Sequence, residues 1–206
     1  ITDADCDPET IDYIIVAHNY GDVPSKGGTS DMVPSLASRV KNKLGIKNPS
    51  CVAYDVLFGC PGWILGVTQA DSFIKSGLAN KVLVIGAEAL SRVVDPHDRD
   101  SMIYSDGAGA VILEPSDTEE GILGQSTATY AVEEAFFIYN EVSYNKQLEQ
   151  KTKYIKMYGR RIYNFALSRV PEGMKAAMEQ AGVDIKDLKK IFIHQANEKM
   201  DEAIVD

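Results

Sequence analysis

At 206 residues, 45% of them hydrophobic, the chain can bury the core of one large or two small globular domains. A formal net charge of −9 argues against the clustered basic face that a phosphate backbone requires, so no nucleic-acid partner is expected. Three cysteines with no CxxC pair and no histidine at ligand spacing suggest neither a disulfide framework nor a metal site, and no apolar run reaches the roughly 18 residues of a membrane span.

The first residues carry no basic-then-apolar leader, and a cytoplasmic protein with no membrane partner is the expectation. The chain opens without methionine and stops at Asp206 within a helical pattern, so it reads as a piece of a longer protein. Residues 11–18 (IDYIIVAH) form a short β-rich run, predicted as a buried strand, and 21–28 break it as a loop. Val33, Leu36, Ala37, Val40 and Leu44 recur at helical spacing, with Asp31 as the expected N-cap and Gly45 as the stop. A second strand, 51–58, runs into Gly59-Cys60-Pro61-Gly62. Residues 63–76 follow, apolar on all sides, and predict a helix buried in the core that ends at Gly77.

Strands are predicted at 81–86 and 108–113, on either side of a polar loop holding Asp95, His97, Asp98, Arg99 and Asp100. Short apolar strands alternating with helices predict a largely parallel sheet with helices on its faces. Beyond a polar junction at 115–120 come a strand over 121–130 and an irregular aromatic stretch over 131–157 that reads as an insertion over a site. A long helix is predicted over 158–182, bent or split by Pro171. A strand at 190–194 and the start of a helix at Asn197 complete the pattern. The junction divides the chain into halves, 1–117 and 118–206.

Cys60 lies where a strand meets the N-terminus of a helix. Unpaired N–H groups and the helix dipole favour negative charge there, so a thiol at that point is expected to have a lowered pKa and to serve as a nucleophile; the competing reading is a small packed cysteine. Cys51 and Cys6 have no such setting. His194 closes a strand at the carboxyl edge of a sheet, where it could exchange a proton near pH 7 or merely cap the next helix. His18 and His97 read as solvated. Arg99 is either a surface charge among acids or a clamp for a phosphate. The DGAGA run at 106–110 lacks a following lysine and reads as close packing between strands rather than a phosphate loop.

Three blocks, DVLFGCPGW at 55–63, ALSRVVDPHDRDSMIYSDGAGAVIL at 89–113 and IFIHQAN at 191–197, resemble in order and spacing the β-ketoacyl-ACP synthase III enzymes. The resemblance implies an α/β, thiolase-like fold of two similar halves with mixed sheets and buried helices. It implies that Cys60 takes an acyl group from acyl-CoA, that a malonyl thioester on acyl carrier protein then loses carbon dioxide and condenses with it, and that His194 stabilises the enolate. Arg99, Asn197 and Trp63 would contact substrate, Lys199 would help to dock the carrier protein, and Val33 and Pro34 would lie near the acyl pocket of a homodimer partner. No cofactor or metal is implied. The family's first strands, its adenine-stacking tryptophan, its glycine-rich segment and the asparagine of its Gly-Asn-Thr motif have no counterpart here, and Asn197 is not that asparagine. The sister hydroxymethylglutaryl-CoA synthases use a glutamate ahead of the cysteine, whereas residues 23–35 hold Asp31 and no Glu. Other CoA-dependent ketosynthases and a catalytically incomplete dimer partner or scaffold remain alternatives.

Overall fold

In the computed structural model, residues 1–24, 30–118, 120–148 and 151–205 are described. They divide into two compact units, one of Ile1–Arg92 with Ser105–Gly121, the other of Val93–Tyr104 with Ile122–Asp206. A single cut near 117 does not describe this division, because the polar excursion 93–104 belongs with the second unit. Part of the loop predicted over 21–28 lies outside the described residues.

The first unit is built on strands β1 (Tyr13–Ala17), β2 (Val52–Val56), β3 (Val82–Ala89) and β4 (Asp106–Leu113), in the order β2-β1-β3-β4. The first three are parallel and β4 runs antiparallel to β3, so the sheet is mixed. β1 alternates across the pleat. Ile14 and Val16 face helix α1 (Leu36–Leu44), packing with Ala37, Ile46 and Leu83, and Ile15 faces helix α2 (Gly62–Lys75), packing with Ala70, Val82 and Val84. A strand covered on both faces reads as a continuous apolar run, which is why IDYIIVAH shows no alternation of polar residues.

Helix α1 starts later than Asp31. Proline at 34 disfavours helical backbone at Val33, and Ser35 becomes the N-cap, its hydroxyl accepting from the Ser38 N–H. The Asp55 carboxylate in β2 accepts from the N–H groups of Leu36 and Ala37, both at 2.8 Å, so three of the four orphan donors of this helix are satisfied. Asp31 instead accepts from the Val33 N–H and pairs with Arg39 at 2.9 Å. Gly45 ends the helix at φ 73°, as its sequence position implies.

Only Gly62, Gly66 and Ala70 of α2 are buried, one small residue per turn against the sheet, while Trp63 and Ile64 are exposed. The expectation of a helix buried on all sides is therefore not met in the described residues. A Cβ built at Gly66 would stand 2.9 Å from Val84 Cγ1 and 3.4 Å from Ile15 Cγ2. The DGAGA run is exposed on β4, with open space where Cβ atoms at Gly107 and Gly109 would sit, so close packing does not explain its small residues.

The second unit contains the antiparallel hairpin β5 (Ile138–Val142) and β6 (Lys153–Met157), followed by α3 (Gly159–Ala181) and α4 (Glu198–Val205). Where irregular structure is predicted over 131–157 there is thus a hairpin. The strands predicted at 121–130 and 190–194 are absent, because among the described residues no neighbouring strand pairs with either. Residues near 125 lie along α3 instead, the Gln125 N–H donating to Gln180 Oε1 at 2.6 Å. Pro171 does not split α3, which runs as one helix of 23 residues. Ala166, Met200 and Ile204 pack α3 on α4, with Ile193 against them.

The 93–104 excursion is held by an ion pair inside the second unit. Lys156 Nζ lies 2.5 Å from Asp95 Oδ2 and 3.3 Å from Asp98 Oδ2, and 3.7 Å from the centroid of the Tyr144 ring. Asp95 also accepts from the N–H groups of His97 and Tyr144 and from the Ser143 hydroxyl. Burial opposes ionisation of Asp95, but Lys156 and these three donors outweigh it and hold the carboxyl well below its ordinary value. A depressed carboxyl contributes stability above its unfolded pKa, and that contribution is lost as pH falls through the folded value.

Three outcomes follow for stability, all read from denaturant midpoints. Gly66→Ala should lose about 1–3 kcal/mol by forcing α2 off the sheet, whereas Gly173→Ala, in α3 with open space at its Cβ, should gain about 0.5–1 kcal/mol. Lys156→Met, which leaves Asp95 buried without its partner, should cost about 3–5 kcal/mol at neutral pH. The deficit relative to the parent should shrink as pH falls toward the ordinary aspartate value of 3.8; a pH-independent deficit would show that the pair is not the source.

Candidate active site

Strands β1 and β2 end together, with β3 running three residues further, at the carboxyl edge of the parallel part of the sheet, where ligands of open α/β sheets bind. Gly59 leaves β2 in the left-handed region at φ 72°, a conformation that costs glycine little. The chain then turns through Cys60 and Pro61 into α2, whose first N–H groups have no side-chain cap. Cys60 is exposed, whereas Cys51 is buried and Cys6 half-buried. The thiol of Cys60 is pushed above its ordinary value: loss of hydration around the sulfur raises it, its own backbone N–H lowers it by less, and the charge of Glu88 raises it further. This direction is opposite to the lowering expected from the helix N-terminus.

Trp63 stands in the first turn of α2 with its Cβ 3.0 Å from where Gly86 would carry one. With Gly86, Gly109, Ala110 and Val111 it lines a mainly apolar depression of about 430 Å³. His18, read as solvated, is in fact buried at 4% exposure. Its Nδ1 accepts from the Gly21 N–H at 3.0 Å, so Nε2 carries the proton and donates to Asp55 Oδ2 at 2.9 Å. No local pattern announces this, because Asp55 reaches His18 only through the pairing of β1 with β2.

The other candidates lie in the second unit. His194 is exposed, in the irregular segment ahead of α4, where its carbonyl accepts from the Ala196 N–H. Asn197 is the cap of α4, its Oδ1 accepting from the Met200 N–H at 3.2 Å, and Lys199 is exposed on the first turn of that helix. Arg99 projects from a short 3-10 helix with 91% of its side chain exposed and a 3.5 Å pair to Asp100. His97 is partly exposed and touches Asn145 and Asp95. Two groups beside Cys60 escaped the sequence reading altogether. Asn19 Oδ1 accepts from the Gly59 N–H at 3.0 Å, and Glu88 Oε2 accepts from the Asn19 side-chain amide at 2.7 Å. Only their place just past β1 and near the end of β3 could have marked them.

Residues 54–131 match the family model described as 3-oxoacyl-[acyl-carrier-protein] synthase III, a span that holds Cys60, Trp63 and Arg99. The chain is 31% identical to the β-ketoacyl-[acyl-carrier-protein] synthase III of Microcystis aeruginosa, over 98% of this chain and 60% of that protein. It is 34% identical to the Clostridium acetobutylicum protein of the same name, over 96% and 59%. Among solved structures, β-ketoacyl-[acyl carrier protein] synthase III of Thermus thermophilus superposes with a TM-score of 0.81 at 30% identity, over 95% of this chain and 58% of that one. The synthase III of Aquifex aeolicus gives 0.78 at 32% identity, over 99% and 60%. The chain thus spans about three fifths of the length of the relatives it matches. Similarity in sequence along nearly all its residues, and in fold, shows that the chain belongs to the β-ketoacyl-[acyl-carrier-protein] synthase III family and has its thiolase-like α/β fold.

Proposed function

We propose that the protein transfers an acyl group from acyl-CoA to Cys60 and condenses it with a malonyl thioester on acyl carrier protein, giving the β-ketoacyl thioester that starts a fatty-acid or related chain. The observation that carries this reading is the exposed Cys60 thiol on the turn between β2 and α2, at the carboxyl edge of the sheet and inside the span matched by the family model.

In the first step the Cys60 sulfur attacks the acyl carbonyl, the bond to the CoA sulfur breaks, and CoA leaves as a thiol carrying the proton that Cys60 gives up. That proton must leave Cys60 as the carbon–sulfur bond forms. A covalent acyl-enzyme divides one difficult condensation into two easier displacements. In the second step the malonyl group loses carbon dioxide and its carbanion attacks the Cys60 thioester. The β-ketoacyl thioester departs on the carrier and the cysteine takes a proton back. His194 holds the malonyl carbonyl and stabilises the enolate, a task suited to a histidine that can donate near neutral pH. Arg99, almost fully exposed, offers its guanidinium to the CoA phosphates. Asn197 supports the bound substrate from the start of α4, Lys199 pairs with an acidic carrier protein, and Trp63 shapes the acyl pocket beside Gly86. Neither step draws on a cofactor beyond the two thioester substrates. The working form in this reading is a cytoplasmic homodimer. No helix among the described residues is long and apolar enough to cross a membrane.

Intact-mass measurement after incubation with a panel of acyl-CoAs should show one acyl adduct on the parent protein and none on Cys60→Ser; absence of an adduct from every donor would sink the reading. Trp63→Phe should alter the acyl-chain length preferred in that panel, and an unchanged preference would remove Trp63 from the pocket.

A further inference from the structure

At the edge where Cys60 sits, one side chain joins all three parallel strands. Asn19 follows β1 directly; its Oδ1 accepts from the N–H of Gly59, which follows β2, and its Nδ2 and backbone N–H both donate to Glu88 Oε2 in β3, at 2.7 and 2.8 Å. Asn19 is itself anchored by its neighbour, since the His18 ring is buried and bonded to Asp55 and its backbone N–H donates to the Val56 carbonyl. The link therefore ends on the Phe58–Gly59 peptide, one peptide ahead of Cys60, at the one backbone position of this turn with positive φ.

This arrangement is poorly suited to stabilising the fold. Asn19 and Gly59 are exposed and Glu88 only half-buried, and hydrogen bonds of that kind compete with water and contribute about 0.5–1.5 kcal/mol each. It is well suited to holding an orientation. Among the described residues the Gly59 N–H donates to Asn19 alone, and an orientation error of about 1 Å at a reacting atom can cost on the order of 100-fold in rate. Glu88 adds a second property, because it is the charge nearest in effect to the thiol.

We propose that Asn19 and Glu88 are positioning residues that fix the turn presenting the Cys60 sulfur to the acyl carbonyl. This rests on the reading of Cys60 as the acyl acceptor. Asn19 supplies the strut and Glu88 orients the Asn19 amide, so that its oxygen rather than its nitrogen faces Gly59.

The test uses the native full-length protein. Rapid-mixing acylation followed by intact mass should show Asn19→Ala slowed at least about tenfold, with the acyl-CoA concentration for half-maximal rate changed less than about twofold. Asn19→Asp places two carboxylates together and should be slow as well. The double variant Asn19→Asp with Glu88→Gln restores an oxygen for the Gly59 N–H and an amide between the two side chains, and should recover most of the rate. Iodoacetamide labelling of Cys60 across pH gives a second readout that needs no acyl donor: Glu88→Gln should move the labelling profile to lower pH, because a negative charge beside the thiol is gone. Parent-like acylation in Asn19→Ala, a double variant no faster than Asn19→Asp, or a labelling profile unmoved by Glu88→Gln would each overturn the proposal. Failure of the parent protein to acylate from any donor would instead sink the acyl-acceptor reading, and the labelling profile would still decide the role of Glu88.

Discussion

The distance between α2 and the sheet governs the first unit. Gly62, Gly66 and Ala70 put almost nothing between the helix axis and β1 and β3, and dispersion contacts of this kind fall away steeply with separation. Since β2 passes to α2 through only five residues, Leu57 to Pro61, a helix held that close leaves little freedom for the turn in between. The position of the Cys60 sulfur is thus set twice, from behind by the helix seat and from the side by Asn19. Trp63 completes the seat by folding over Gly86, where a larger residue in β3 would push the indole away.

In the second unit a different force organises the chain. Lys156 and Asp95 are almost wholly removed from water, and such a pair holds only if every remaining polar atom is served. Here His97, Tyr144 and Ser143 supply the other donors, so one carboxylate gathers an excursion, a hairpin strand and the segment after β5. A hydrophobic cluster could bury as much surface, but it would not dictate which loop meets which strand. The short 3-10 helix bearing Arg99 inherits its place from this arrangement, because Asp98 both caps it and reaches Lys156.

Much of the first unit is legible in the residues themselves. Four strands, both helices and the Gly45 stop follow from apolar runs, helical spacing and glycine, signals that lie within each element itself. The departures share a cause. Asp31 lost the cap of α1 to Ser35 because proline at 34 delays the helix and because Asp55, remote in sequence, supplies acceptors that no local pattern announces. Residues 121–130 and 190–194 have strand-like composition, yet a strand exists only with a partner to pair with, and pairing is not a local property. His18 and Asn19 look like ordinary loop-side polar residues until the sheet brings Asp55 and Glu88 beside them. Of the candidate site, the placement of Cys60 could be read from its strand-to-helix context. The direction of its pKa shift could not, because Glu88 enters from β3.

A raised thiol pKa also bears on oxidation. Thiolates, not thiols, react with peroxides and with other disulfides, and a cysteine kept protonated at rest spends little time in the vulnerable form. Among the described residues Cys60 is the one exposed cysteine, the sulfur an oxidant would meet first. Loss of hydration first, and the Glu88 charge after it, favour the less reactive thiol form of a sulfur that is otherwise open to small oxidants.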